Sequence, residues 1–217
     1  MSMADGGRRK FRREGEVQRQ GDLIAAALDL IAEGGPQAAT VRAIAARAGV
    51  TPGLIRHYFH TKEDLLCAAY ASFMQRMTDD HRATVAEGVA DPVARLARFV
   101  VASLTPPMVD TRAVGLWAGF IHLVQHDPVM RAVHHKTYHA FRFELDVLIA
   151  EALASVGRSD SSEELRRHAI SCNALIDGLW MEGSSLPDAF SDGELPRLGL
   201  ANIGLLLGLD LAGALED

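Results

Sequence analysis

The chain has 217 residues, is 48% hydrophobic and 23% charged, and carries aromatics at only 6%. Alanine and leucine are abundant and no β-branched run alternates with period two, so helix is expected over strand in a globular chain of one or two domains. No run of about 18 apolar residues occurs and no apolar stretch follows the basic residues near Met1, which argues against a membrane span and against secretion. The net charge of −6 divides unevenly. Residues 1–62 hold 10 Lys+Arg against 6 Asp+Glu, and residues 63–217 hold the remaining 12 against 22. That asymmetry suggests a nucleic-acid-facing end and an acidic remainder. Cys67 and Cys172 stand apart, without metal-ligand spacing, as expected in a reducing cytoplasm.

The elements follow in chain order. Residues 1–15 read as a frayed basic arm containing Arg8-Arg9-Lys10-Phe11-Arg12-Arg13, which could follow a phosphate backbone or enter a minor groove. A first helix is expected over Glu16–Glu33, its apolar residues Leu23, Ile24, Ala27, Leu28 and Ile31 spaced by threes and fours, stopped at Gly34-Gly35-Pro36. Thr40 caps a short helix over Val41–Ala48, Gly49 breaks it, and Thr51-Pro52 opens a third. Thr61, followed by acidic Glu63 and Asp64, starts a fourth. Asp91-Pro92, Asp127-Pro128, Ser161-x-x-Glu164 and Ser191-x-x-Glu194 mark further starts. Helices are thus expected near 63–88, 91–105, 111–125, 128–156, 162–185 and 193–212. The whole is an all-α chain of about nine helices: a DNA-binding trio at 16–62 and a bundle at 63–217.

Residues Val41–Phe59 (VRAIAARAGVTPGLIRHYF) have the size and polarity pattern of a helix-turn-helix. Ala45 is small where two helices would cross. Gly49, four residues on, tolerates the positive φ of the turn. Ile44, Ala48, Val50, Ile55 and Tyr58 fall where a shared core is needed. An ordinary helical hairpin would not explain the polar outward set on the second helix. That set is Thr51, Pro52, Gly53, Arg56 and His57: Arg56 could bond a guanine bidentately and His57 could reach a base or phosphate, while Thr51 and Gly53 would allow close approach. Thr40, Val41, Arg42, Tyr58, His60 and Lys62 are placed for the phosphate backbone, with Tyr58 equally readable as partly core.

Residues 17–75 resemble the tetracycline-repressor (TetR) family of bacterial regulators. The segment Tyr58-Phe59-x-x-Lys62-x-x-Leu65 carries the resemblance. Gly53–Phe59 (GLIRHYF) and Ala174–Trp180 (ALIDGLW) also look like the choline-responsive betaine-repressor (BetI) subgroup. The resemblance implies an all-helical homodimer, a repressor whose N-terminal trio binds a pseudo-palindromic operator and whose bundle binds a small effector. Trp117, Phe120, His122, Tyr138, Phe141, Trp180 and Met181 sit on apolar helical stripes of that bundle. Aromatic faces of this kind suit a cationic ligand, with Asp177 or Glu182 as counter-charge, although any single one of them reads first as a residue that fills the core. Gly178, beside Trp180, reads as a site of close helix packing. The segments 162–185 and 193–212, the second apolar on most of its circumference, would form a four-helix dimer interface.

The competing reading is a helical ligand-binding module or enzyme whose helix-turn-helix is only structural. No GxxxxGK[ST] or GxGxxG phosphate loop and no nucleophile–base set is present. His135 and His139 have an i,i+4 spacing that could hold a metal, beside His134, but no adjacent acid completes a site, and they read as solvated or core histidines. No catalytic residue, cofactor or bound metal is expected.

Overall fold

A computed structural model describes the backbone of residues 4–85 and 89–215 and the side chains of 15–78 and 89–215. Among the described residues the chain is all-α, as expected. It has nine α-helices: α1 (Ala4–Gly34), α2 (Val41–Arg47), α3 (Pro52–Tyr58), α4 (Lys62–Val85), α5 (Pro92–Ser103), α6 (Thr111–His126), α7 (Pro128–Ser155), α8 (Ser162–Ser185) and α9 (Glu194–Leu207). The caps read from sequence are in place. Thr40 and Asp91 accept the backbone N–H three residues on, and Ser161 and Glu164 form a reciprocal capping box.

Three boundaries differ from the sequence reading. The backbone of residues 4–15 is helical and continues α1, where a frayed arm is expected. Between the early glycines and Gly15 the segment is mostly Arg, Lys and Glu, which are good helix formers. The arm's arginine and lysine side chains lie outside the described residues. α9 stops at Leu207, short of the expected 212, because Gly208 turns to φ 68°. The Arg158 guanidinium donates to the freed Leu207 carbonyl, satisfying a C-terminal acceptor with a cation. Finally, Ser191 and Glu194 do exchange hydrogen bonds, but Ser191 stands two residues ahead of the N-cap. The N-cap position of α9 is Gly193, at φ 69°, and the Ser191 N–H and hydroxyl both donate to the Glu194 carboxylate.

The chain divides into two compact units, residues up to Phe73 with Gly115–Val133, and Met74–Val114 with His134–Asp217. The expected cut at 62/63 therefore falls in the first turn of α4, and most of α6 groups with the N-terminal helices. The cause is packing between residues far apart in sequence. Tyr70 and Phe120 are both fully buried with ring centroids 4.8 Å apart. Burial of each ring is worth about 1.5–3 kcal/mol. A Cβ at Gly119 would stand 3.2 Å from Ile31 and 3.4 Å from Pro36, so α6 lies close against the end of α1. Leu23, Leu28 and Ile31 of α1, Ile44 of α2, Ile55 of α3 and Leu65 of α4 complete this core.

The second unit is built around Leu96, Phe99 and Val100 of α5, Leu145 and Ile149 of α7, Cys172 and Ile176 of α8, and Ile203 of α9, all at most 3% exposed. Phe141 packs against Phe99, the ring centroids 5.4 Å apart and the planes tilted by 39°. Two glycines set the helix spacing. A Cβ at Gly183 would fall 2.2 Å from a Leu195 methyl, and one at Gly199 would fall 2.4 Å from a Leu104 methyl. Within its own chain Gly178 has no close-packing role. It is exposed, and a Cβ there would meet nothing in the chain. Both cysteines are buried and unpaired, and burial pushes the Cys172 thiol up to about 12.

Candidate nucleic-acid interface and effector site

Two short helices cannot hold their own shape and depend on what they bury. In α2, Ile44 and Ala45 are buried, and in α3, Ile55 is buried. The turn between them closes through the Val50 N–H donating to the Ala45 carbonyl at 2.9 Å, with Gly49 at φ 65°. This is the helix-turn-helix geometry the sequence predicts. α2 is further fixed to α1 by Arg47, whose guanidinium binds the Glu33 carboxylate in a fork at 2.8 and 2.6 Å. That hydrogen-bonded pairing raises the Arg47 pKa above its ordinary value. The sequence reading missed the pair, since nothing in linear spacing joins residues 33 and 47.

With the apolar side of α3 anchored, its other side is open. Thr51, Pro52, Gly53, Arg56 and His57 are all exposed, as are Thr40, Arg42 and His60. The Thr51 hydroxyl caps nothing, although Thr51 occupies the N-cap position of α3. Val41 and Lys62 are half-buried. Tyr58 is also half-buried, its ring meeting that of His57 edge-on at 5.0 Å. Thr61 and Asp64 cap each other at the start of α4, 3.0 Å each way. The eleven residues expected to meet nucleic acid thus lie on consecutive elements of one unit.

The expected effector residues do not share one unit. Trp117, Phe120 and His122 belong to the first. There Phe120 fills the core against Tyr70, and exposed His122 meets His126 at 4.9 Å. Tyr138, Phe141, Asp177, Trp180 and Met181 belong to the second. Trp180 is buried and its indole N–H donates to the Met108 carbonyl at 2.8 Å, while Met181 is exposed.

A polar cluster in this unit is more pointed than the sequence suggests. The Tyr138 hydroxyl donates to the Asp177 carboxylate at 2.7 Å. The Asn173 amide donates to that carboxylate at 2.7 Å and to the Tyr138 oxygen at 2.6 Å. Asn173 is 3% exposed and its Oδ1 is buried without a hydrogen-bond partner. Burial raises the Asp177 pKa, against the opposing pull of the two donated bonds. Burial, and the carboxylate beside it, push the Tyr138 phenol up to about 12, so it remains a donor. The His134 ring stacks on Tyr138 at 5.4 Å. Asn173 escaped the sequence reading. The available signal was a polar residue one helical turn before Asp177 on an otherwise apolar stripe.

Residues 23–69 match the family described as bacterial regulatory proteins, tetR family. Residues 92–208 match the BetI-type transcriptional repressor C-terminal family. The chain is 30% identical over 195 residues to the HTH-type transcriptional regulator BetI of Burkholderia cenocepacia, covering 88% of this chain and 95% of that one. The chain belongs to the TetR family.

Within that family its C-terminal domain is of the BetI type. A solved transcriptional regulator from Pseudomonas aeruginosa PAO1 shares the fold at a TM-score of 0.78 and 30% identity, over 92% of this chain and 93% of that one. A regulator from Saccharomonospora viridis, solved in complex with choline, superposes at a TM-score of 0.73 over 86% of this chain and 96% of its own. Its 21% identity bears on the fold alone. This TetR-family chain is a DNA-binding transcriptional regulator with a ligand-binding domain, and it is not an enzyme. TetR-family regulators bind operators and small effectors, typically as dimers. No described helix is long and apolar enough to cross a membrane.

Proposed function

We propose that this regulator is a homodimeric repressor, acting in the cytoplasm, that leaves a pseudo-palindromic operator when a small cationic effector enters its second unit. The observation that carries the reading is the anchoring of α3 by buried Ile55, which leaves Arg56 and His57 exposed on one helix. Arg56 reads a base edge, with His57 beside it, and Thr51, Pro52 and Gly53 let the helix approach. Thr40, Val41, Arg42, Tyr58, His60 and Lys62 hold the phosphates and set register.

The dimer is supported by apolar surface on the two helices expected to form it. Ile170 and Met181 of α8 and Leu198, Leu205 and Leu206 of α9 are exposed, Leu205 at 84%. A second copy related by a two-fold axis would cover them and set two recognition helices against two half-sites.

The effector reading rests on Tyr138, Asn173 and Asp177. A half-buried carboxylate supplies counter-charge, aromatic faces attract a quaternary ammonium, and the unpartnered Asn173 Oδ1 accepts a hydroxyl proton. A hydroxylated quaternary ammonium such as choline, the ligand in the Saccharomonospora structure, has both features. To release DNA it must bind the DNA-incompetent arrangement more tightly than the competent one. α4, which the chain follows from the first unit into the second, is the proposed lever.

The test is footprinting across the protein's own promoter region, at low and rising salt, with and without choline. Protection of a palindrome that fades steeply with salt and is lost with choline is expected. No protected site at low salt overturns the operator reading. Protection indifferent to choline overturns the effector assignment alone.

A further inference from the structure

We propose that His135 and His139 form a two-point chelate for a divalent transition-metal ion on the exposed side of α7. The two residues lie one turn apart within a continuous helix of 28 residues. Their Nε2 atoms face each other at 3.1 Å, with ring centroids 4.1 Å apart, and both side chains are exposed. Imidazole nitrogens ligate zinc at about 2.0–2.1 Å, so two neighbouring ligands on one ion stand about 3 Å apart. The free helix already holds the pair at that bite, and ligation needs no change in the backbone. Imidazole suits zinc, nickel and copper, which gives the class of ion.

The same spacing elsewhere does not give the same geometry. His122 and His126 on α6 are also four apart, but their rings meet edge-on at 70° with centroids 4.9 Å apart. His134, adjacent in sequence, is turned to Tyr138 instead. Among the described residues no group of three or more His, Cys, Asp or Glu converges on a metal position. The chain therefore supplies two ligands, and water or an added ligand completes the coordination.

Arg142 gives the site a distinctive signature. Its guanidinium stands 3.1 Å from His139 Nδ1. A guanidinium only donates, so Nδ1 accepts and the His139 proton sits on Nε2, directed at His135. Ligation through Nε2 moves that proton to Nδ1, and Arg142 must swing away. Removing Arg142 removes both this competing bond and a nearby positive charge. Arg142→Ala is therefore expected to tighten metal binding, which it would not do at an unrelated site.

The experiment is calorimetric titration of the untagged full-length protein with nickel chloride and, separately, zinc chloride. One ion per chain is expected. His135→Ala and His139→Ala should each weaken binding about tenfold or more, while His122→Ala and His134→Ala leave it unchanged. Arg142→Ala should strengthen it several-fold. No binding at about 100 µM metal, or a loss of less than about tenfold in either single variant, overturns the proposal. Unchanged or weaker binding by Arg142→Ala overturns ligation through His139 Nε2. All five side chains titrated are exposed or half-buried, and circular dichroism of each variant verifies that the helices are intact.

Discussion

The polar groups of the two units are handled in opposite ways. In the first, Arg56, His57 and the Thr51 hydroxyl are displayed on a small helix whose opposite side is anchored by Ile55. In the second, Tyr138, Asn173 and Asp177 are drawn inward and spend their hydrogen bonds largely on one another. A surface of unspent donors suits a large, charged, hydrated partner met from outside. An internal cluster with one acceptor left over suits a small ligand that gives up its own water. The contrast teaches that the two functions place different demands on the same helical material. The first needs rigid presentation, and the second needs a desolvated charge.

The most severe test of this contrast removes the anchor of each unit. Ile44 of α2 is fully buried, so Ile44→Ala should lower stability by about 2–5 kcal/mol, read by urea denaturation. It should abolish operator binding while choline still binds. In the second unit, a Cβ at Gly183 would stand 2.2 Å from Leu195 and 3.2 Å from Val109. Gly183→Ala should cost about 1–3 kcal/mol, at the low end if the Leu195 side chain turns aside. Here the expected pattern reverses, with choline binding impaired first. Equal loss of both functions in both variants would dissolve the distinction between the units.

A subtler cut is within the displayed surface. Arg56→Ala should remove about 1–3 kcal/mol of discrimination between the operator and a base-substituted duplex, roughly 5- to 150-fold in relative affinity. Lys62→Ala should weaken every duplex alike and flatten the salt dependence by about one unit of slope. Mobility-shift titrations on both duplexes decide this. Identical effects from the two variants would contradict the division between base and phosphate contacts.

What the sequence made legible follows from the range of the forces involved. Local backbone chemistry was readable: Thr40 as a cap, Gly49 as the turn, Pro52 at the first position of α3. Periodicity was readable too, down to Ile44 and Ile55 as core. Pairings across the chain were not. Nothing near Glu33 announces Arg47, and nothing near Tyr70 announces Phe120, yet the second pair helps assign most of α6 to the first unit. The end of α9 was misplaced for a related reason. Apolar residues continue past Gly208, and periodicity alone does not register a φ of 68°. At the effector cluster, Asp177 and Tyr138 were legible by residue type, but Asn173 acquires its role only through burial.

The titration of Asp177 tests the inward-facing half of the contrast. Burial raises its pKa, so the folded protein binds this proton more tightly than the unfolded chain does. Its contribution is present below the ordinary carboxylate value and is lost as pH rises from there through the raised value. Asp177→Asn keeps the shape and removes the titration. It should therefore raise the melting temperature at neutral pH, read by thermal denaturation of both proteins. The gain should shrink as pH falls into the carboxylate range, and the response to choline should disappear. A variant less stable than the parent at neutral pH would mean that the charge is better compensated than the cluster implies.

The smallest effect bears on the proposed dimer. Gly178 lies on α8 between Ala174 and Met181, on the side that exposes Ile170 and Met181, and a Cβ there meets nothing in its own chain. In an isolated chain Gly178→Ala should stabilise the helix by about 0.5–1 kcal/mol, because glycine loses more backbone freedom on folding. If α8 packs against its counterpart in a second copy, the same methyl meets a helix that approaches closely only over small residues. The expected result is a gain in thermal stability at low protein concentration that turns into a deficit as concentration rises and the parent dimerises. Sedimentation of both proteins over that range reads the association directly. A gain that is the same at every concentration would remove this turn of α8 from the interface and leave α9, with Leu205, to carry it.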